Sequence, residues 1–205
     1  MSDLDKALAD IVAIRSRIAA DTVFRGYGPA ALAATGGVAL LTALAQALWL
    51  ADPTASPLAF VLGWVAAAVV SGGIVWWEMR RRAHRHHSGL ADAMIHNAAQ
   101  QFLPSAAAGL LLAAVLLLHT PESVWMLPGL WQLLVGIGIF ASARTLPRGI
   151  VLVGGWYFAA GLAVLMLGSA DHALSPWTMG LPFLIGQGLM AAILRREYGA
   201  DDARD

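Results

Sequence analysis

Six apolar runs without Lys, Arg, Asp or Glu constrain the fold of this chain more than any other feature of its sequence. They lie at residues 29–50, 57–77, 102–119, 124–143, 149–168 and 176–194. A hydrocarbon core about 30 Å thick is crossed by about 20 residues of α-helix, whereas a barrel strand needs only about 9–11. The runs therefore predict an all-α membrane protein with six transmembrane helices, arranged as three helical hairpins.

The cations of the chain all fall on one side of the bilayer if the chain crosses it six times. There are 13 Lys and Arg residues, and the three loops on the opposite side contain only Asp52, Glu122 and Asp171 as charged residues. Lys and Arg are retained in the cytoplasm next to membrane spans. We therefore expect both termini to be cytoplasmic, and one crossing more or fewer would divide the basic segments between the two faces.

The second run ends in the sequence WWEMRRRAHRHH, which is typical of a helix leaving a membrane. Two tryptophans close the run, and arginines follow at once. Indole rings are enriched at the headgroup level, and arginines beyond them attract anionic lipid headgroups. The predicted lipid-interface residues are Trp76, Trp77, Arg80, Arg81, Arg82 and Arg85.

Three further segments complete the predicted domain organisation around the bundle at residues 26–196. Residues 1–25 carry an apolar stripe at helical spacing and predict an amphipathic helix on the cytoplasmic membrane surface. The alternative is a coiled-coil seam between subunits of a homo-oligomer. A second, mid-chain amphipathic helix is predicted between the second and third spans, and residues 197–205 form a polar tail.

Three glutamines are the amide side chains inside the predicted spans. An amide that faced lipid would cost several kcal/mol, so each of Gln46, Gln132 and Gln187 needs a partner. Hydrogen bonds between helices are one interpretation. The functional interpretation is a polar pocket for a small ligand, with Trp131 beside Gln132, and this interpretation gains support if the three amides converge at one depth.

Histidines near the basic interface give a candidate metal site. His84 and His87 are three residues apart, so they share a helix face, and His96 follows on the next segment. Glu78 or Asp92 would supply oxygen. The simpler interpretation is that these imidazoles extend the basic patch. On the opposite side, a second acidic and histidine cluster is explained equally well by turn residues; it comprises His119, Glu122, Asp171 and His172.

The composition of the spans weighs against some classes of function. A proton-coupled transporter or pump needs titratable groups such as carboxylates along its path, and the span interiors contain no Lys, Arg, Asp or Glu. The formal net charge is zero, which gives no reason to expect a nucleic-acid partner, and no motif indicates a cofactor. We favour a non-enzymatic membrane protein that binds a small ligand or has a regulatory role. The alternatives are a channel or facilitator for a neutral solute and a histidine metal site in a membrane enzyme.

Three sequence stretches, FRGYGP at 24–29, VWMLPGLWQ at 124–132 and ALSPWTMGLPFLIGQ at 173–187, carry a resemblance to known proteins. They resemble a group of small six-span bacterial inner-membrane proteins, and the likeness covers most of the chain. The resemblance implies a location in a bacterial inner membrane and implies nothing about activity.

The predicted topology is testable with reporter fusions. Alkaline phosphatase fused after residue 54 should be active, whereas the same fusion after residue 90 should be inactive, because the two positions lie on opposite sides of the membrane. A fluorescent protein that folds only in the cytoplasm should give the reverse pattern. The same compartment for both positions would contradict the six-span topology.

Overall fold

The computed structural model describes residues 28–86, 91–143, 146–147 and 149–202, and the secondary structure of these residues is entirely helical. It consists of six α-helices and a short 3₁₀ helix, Pro121–Met126, between the third and the fourth. We number the α-helices in chain order: α1 (Pro29–Trp49), α2 (Pro57–His86), α3 (Ala91–His119), α4 (Leu127–Ala141), α5 (Ile150–Gly168) and α6 (Trp177–Asp202).

Six helical segments in this part of the chain are long and apolar enough to cross a membrane. They are Pro29–Trp49, Pro57–Arg82, Gln100–His119, Pro121–Ala141, Ile150–Gly168 and Trp177–Glu197. The fourth segment needs the 3₁₀ turn as well as α4, because α4 alone is only 15 residues long. The predicted all-α class and the predicted number of membrane-crossing helices are confirmed.

The helices extend further than the apolar runs that predicted them. α2 continues through the arginines to His86, and α6 continues to Asp202, into the predicted polar tail. Charged residues such as Arg and Glu are good helix formers, so a helix does not have to end where the chain leaves the hydrocarbon core of the membrane. The predicted mid-chain surface helix is not a separate element, because its residues from Ala91 onwards form the first turns of α3. The predicted N-terminal helix, residues 1–25, lies outside the described residues.

The six helices pack in a ring. Each α-helix contacts the next one along the chain, and α6 contacts α1. The most extensive contacts are those of α1 with α6 and of α4 with α5, which join neighbouring predicted hairpins. The three-hairpin arrangement therefore stays a prediction. We call the end of the ring that carries Asp52, Glu122 and Asp171 the acidic end, and the opposite end, with Arg82 and Arg196, the arginine end.

Two groups of buried apolar side chains fill the ring, one towards each end. The acidic-end cluster comprises Ala39, Ala43, Phe60, Val61, Trp64, Ala67, Ala113, Val124, Leu127, Leu174 and Met179. The arginine-end cluster comprises Leu32, Ile139, Leu146, Ile150, Val153, Tyr157, Met190, Ala191 and Leu194. Large apolar side chains also cover the outside, among them Leu41, Leu48, Leu103, Leu111 and Leu152. An apolar exterior around a packed interior is the arrangement that suits a protein surrounded by lipid.

The three loops at the acidic end are linked to one another. The backbone N–H of Leu174 donates to the hydroxyl oxygen of Thr54 at 3.0 Å, which joins the α5–α6 loop to the α1–α2 loop. The ring of His172 stacks on Trp125 of the 3₁₀ helix, with centroids 4.7 Å apart. His172 has a positive φ of 55°, a strained conformation for a residue other than glycine. The stack holds it there, so the loops form a continuous cover over the acidic-end cluster.

Gly180 allows the backbone of α6 to lie close to α1. A Cβ atom added to Gly180 would overlap the Cβ of Ala43, which is attached directly to the α1 backbone and has no rotamer to change. Small residues allow such close backbone contact, which is a main source of helix association in lipid. By contrast, a Cβ added to Gly188 would meet nothing within 4 Å in the described part of the chain.

Gly180→Ala should therefore destabilise the protein by about 1–3 kcal/mol, because the two helices must separate to admit the methyl group. Gly188→Ala is the matched control on the same helix and should leave stability unchanged or slightly raise it. Unfolding by SDS in mixed micelles would measure both. Equal effects of the two substitutions would contradict the close contact at Gly180.

Candidate ligand-binding site

Gln132 satisfies a backbone group that a proline leaves without its helical partner. In α6, the carbonyl of Thr178 would accept from the N–H four residues on, but residue 182 is proline and has no N–H. The side-chain Nε2 of Gln132 donates to this carbonyl at 2.7 Å and to the Pro128 carbonyl at 3.1 Å. Gln132 is fully buried. Its amide thus binds α4 to α6 and compensates for the proline.

The orientation of the Gln132 amide follows from its partners. Backbone carbonyl oxygens only accept hydrogen bonds, so the atom that faces them must be the NH₂ group. Both hydrogens of Nε2 are used in this way, and the other end of the amide is then the carbonyl oxygen. Oε1 of Gln132 is buried and has no hydrogen-bond partner among the described residues. It is therefore an unused acceptor in the interior of the bundle.

Gln46 repeats this arrangement between α1 and α2. Its Nε2 donates to the carbonyl of Phe60 at 2.9 Å, and a Cβ added to Gly63 would collide with the same amide nitrogen. Gly63 thus leaves room for the amide to lie on the α2 backbone. Oε1 of Gln46 is buried and unpaired within the described ranges. The Phe60 carbonyl again fixes which end of the amide is the acceptor.

Gln187 lies at a different depth, so the three glutamines do not converge at one level. Phe60 and Thr178 belong to the first turns of α2 and α6 at the acidic end, whereas Gln187 is about 15 Å further along α6 than its first residue. Its Nε2 lies 3.3 Å from the hydroxyl of Tyr157, and its Oε1 is unpaired in the part of the chain that the structure describes. Gln46 and Gln132 therefore lie at the acidic end, where we place the candidate site, and Gln187 lies deeper in the bundle; whether Gln187 binds a ligand stays a prediction.

Trp131 connects helices on another side of α4. Its indole N–H donates to the carbonyl of Gly109 in α3 at 2.9 Å, while the neighbouring Gln132 reaches α6. Its polar atom is thus already used between helices. Whether Trp131 contacts a ligand stays a prediction.

Trp64 is a polar residue of the acidic-end cluster that the sequence prediction missed. It is 4% exposed, and its indole N–H has no acceptor in the described residues. The sequence feature that could have indicated Trp64 is its position along the helix. Trp49 and Trp177 lie at helix ends, and Trp76 and Trp77 lie at the end of the apolar part of α2, where interfacial tryptophans belong, but Trp64 is about 10 Å inside α2.

The basic interface is partly engaged in contacts within the protein. Arg82 forms an ion pair with Glu78 one turn earlier, beside Gly28 at the start of α1. The guanidinium of Arg81 lies over the ring of Trp77, 5.4 Å from its centre. Trp77 is exposed, as a residue in contact with lipid headgroups would be. Both contacts join residues of α2 that are one turn apart, and the Arg82–Glu78 pair also lies against the start of α1. Binding of lipid there stays a prediction.

The candidate metal residues are only partly covered by the structure. His84 lies in α2 and His96 is exposed on α3, whereas His87 is outside the described residues. The described residues contain no group of three or more His, Asp or Glu side chains that would hold a metal ion. At the acidic end, Asp171 accepts from the Ala173 N–H at 3.1 Å, which is the turn role that its sequence context also suggested.

The buried polar atoms define what the candidate site can do chemically. Gln46 and Gln132 present acceptors, Trp64 presents a donor, and none of these three side chains carries a charge. An unpaired buried polar group costs about 1–3 kcal/mol, so a molecule that pairs with it gains that much in affinity. The site is therefore suited to bind a neutral molecule through hydrogen bonds.

A double-mutant cycle tests the pairing of Gln132 with the carbonyl that Pro182 frees. Gln132→Leu should cost about 1–2 kcal/mol in the wild-type background, because the Thr178 carbonyl loses its donor. In a Pro182→Ala background the cost should be smaller by at least about 0.5 kcal/mol, since the backbone N–H of residue 182 can then take over. Unfolding in mixed micelles gives all four stabilities, and equal costs in both backgrounds would contradict the pairing.

The chain was compared with protein-family models, with curated proteins and with solved structures. No family model, curated protein or solved structure matches it. The function therefore has to be inferred from the two glutamines and the helices that they connect.

Proposed function

We propose that this chain is a non-enzymatic membrane protein that binds a small neutral ligand at the acidic end of its helix ring. One observation carries the proposal. The amides of Gln46 and Gln132 are both oriented by backbone carbonyls so that a buried Oε1 atom is left to accept a hydrogen bond. A purely structural glutamine would gain more from pairing both ends of its amide.

The acidic-end cluster suits the rest of such a ligand. Phe60, Trp64 and Leu127 are almost completely buried there, and the binding region has no ionisable group among its cluster residues. Small-molecule sites in proteins are mostly apolar, with a few polar groups that orient the ligand. The proposed ligand is therefore a mostly apolar molecule with one or two groups that donate hydrogen bonds.

Our proposal places the protein in a bacterial inner membrane, with both termini in the cytoplasm. Support comes from the six membrane-crossing helices, from the arginines at one end, and from the resemblance to small six-span bacterial inner-membrane proteins. Exposed Trp76 and Trp77 beside Arg80 support contact with anionic headgroups at that end. Homo-oligomerisation and a regulatory role are compatible with this proposal and are not required by it.

The alternative function is a channel or facilitator for a neutral solute. The closed ring of six helices favours it, because such a ring has an axis along which a path would run. The apolar side chains that fill both ends of the ring favour binding instead. Flux of glycerol into proteoliposomes distinguishes the two functions, since a facilitator should admit glycerol faster than protein-free liposomes and should lose this on Gln132→Leu.

Binding is tested with para-fluorobenzyl alcohol, a neutral apolar probe with one hydroxyl. Fluorine NMR of the protein in lipid nanodiscs should show saturable binding beyond that to empty nanodiscs. In the Pro182→Ala background, where the structural role of Gln132 is relieved, replacing both Gln46 and Gln132 by Leu should weaken binding at least about fivefold, because both acceptors that could receive the hydroxyl proton are lost.

Gln100→Leu is the control, since it is the same substitution at an exposed position of α3. It should leave the dissociation constant unchanged. Absence of saturable binding, or an equal loss on Gln100→Leu, would contradict the proposed site.

A further inference from the structure

Gln46 and Trp64 present opposite hydrogen-bonding groups on the same turn of α2. The Gln46 amide is bound to the carbonyl of Phe60, which in an α-helix is also the acceptor for the backbone N–H of Trp64. Oε1 of Gln46 is an unpaired acceptor, and Nε1 of Trp64 is an unpaired donor. Both side chains are more than nine-tenths buried. The turn of α2 that carries Phe60 and Trp64 thus bears an unpaired donor and has an unpaired acceptor bound against it, and the two groups do not bond to each other.

Neighbouring contacts limit how far either group can turn. The Phe60 carbonyl holds the Gln46 amide, and Gly63 lies directly against its nitrogen. The Trp64 ring packs against the ring of Phe60, with centroids 6.3 Å apart and planes inclined by 57°. These contacts orient the amide and restrict the indole. The two groups therefore cannot form a hydrogen bond with each other simply by rotating their side chains.

We infer that Gln46 and Trp64 together bind one hydroxyl group, and that the ligand is an alcohol with an apolar body. A hydroxyl group is the smallest organic group that both donates and accepts. It donates its proton to Oε1 of Gln46 and accepts from the indole N–H of Trp64, so both buried atoms are paired at once. This inference rests on the proposed function and adds the chemical class of the ligand.

Functional groups that only accept or only donate leave one of the two buried atoms without a partner. A ketone, a quinone or an ether accepts from Trp64 but offers nothing to Gln46. An ammonium ion donates to Gln46 but cannot accept from Trp64, and its charge has no counter-ion in the acidic-end cluster. Sites that hydrogen-bond a hydroxyl reject analogues without it strongly, since the site's own polar groups then stay unpaired.

The apolar body of the alcohol would lie against the acidic-end cluster. Phe60 and Trp64 contribute aromatic faces to this cluster, and Met179 contributes a side chain that adapts to different shapes. The hydroxyl therefore fixes the position of the ligand, whereas the apolar surroundings accept bodies of more than one shape.

Three probes of nearly the same shape test the inference: para-fluorobenzyl alcohol, its methyl ether and para-fluorotoluene. The alcohol donates and accepts, the ether only accepts, and the toluene does neither. Dissociation constants from fluorine NMR in nanodiscs should show the alcohol binding wild type at least about tenfold more tightly than the ether. The ether in turn should bind more tightly than the toluene.

Two substitutions should remove these preferences separately. Gln46→Leu removes the acceptor, so the alcohol should lose its advantage and bind like the ether. Trp64→Phe removes the donor, so the ether should fall to the level of the toluene while the alcohol keeps part of its advantage. Gln187→Leu, which changes a glutamine deeper in the bundle, is the matched control and should leave all ratios unchanged.

Gly63→Ala is a second way to disturb the site that keeps both polar groups. Its methyl group would displace the Gln46 amide, so it should lower the ratio of alcohol to ether affinity as Gln46→Leu does. The ratio is measured on variants that elute as a single peak and retain the helical circular dichroism of wild type. This keeps the test valid if one of the variants does not fold.

The outcomes separate this inference from the proposed function. Equal binding of alcohol and ether to wild type, or an unchanged ratio in both Gln46→Leu and Gly63→Ala, would overturn the hydroxyl site. The proposed function would survive that result if replacing both Gln46 and Gln132 by Leu still weakened binding. If none of the three probes bound saturably, the proposed function would fail, and the hydroxyl site would fail with it.

Discussion

Backbone groups inside a bilayer must find hydrogen-bond partners within the protein, and this requirement organises the structure. Pro182 deprives the Thr178 carbonyl of its helical donor, and in a hydrocarbon phase no water is present to replace it. Gln132 supplies the missing hydrogen bond from another helix. A local defect in α6 thereby becomes a connection between α4 and α6, and it places a fully buried amide inside the ring. The position of Gln132 in the candidate site depends on this one interaction.

The donor and acceptor ends of the buried glutamine amides have different roles. The NH₂ groups of Gln46 and Gln132 donate to backbone carbonyls and connect helices, which is a structural role. Their carbonyl oxygens have no partner among the described residues, and the same is true of the Trp64 N–H. The structural and functional interpretations of these glutamines are thus not exclusive. One end of each amide holds the fold, and the other is free for recognition.

The membrane-crossing helices were predictable from the sequence because each property that defines them is local. Twenty apolar residues in a row are visible without knowing their neighbours, and so is the change to arginine after Trp77. The ends of α2 and α6 were not, because helices continue into water beyond the apolar run. Of the candidate site, the sequence predicted Gln46, Gln132 and Gln187, and the structure places Gln187 deeper along α6, so the three amides do not converge at one depth. Depth in the bundle depends on how helices pack, and Trp64 was missed because only packing shows that its indole is unpaired.

The linked loops at the acidic end have a consequence for how a molecule would reach the buried amides. Thr54 with Leu174 and His172 with Trp125 join all three loops above the cluster, and Leu174 is itself buried beneath that cover. Entry from the aqueous side would require these contacts to open, whereas sideways entry between two helices would leave them intact. Occupancy would then follow the amount of ligand dissolved in the bilayer rather than its aqueous concentration. A protein of this kind would sample the chemical composition of the membrane that surrounds it.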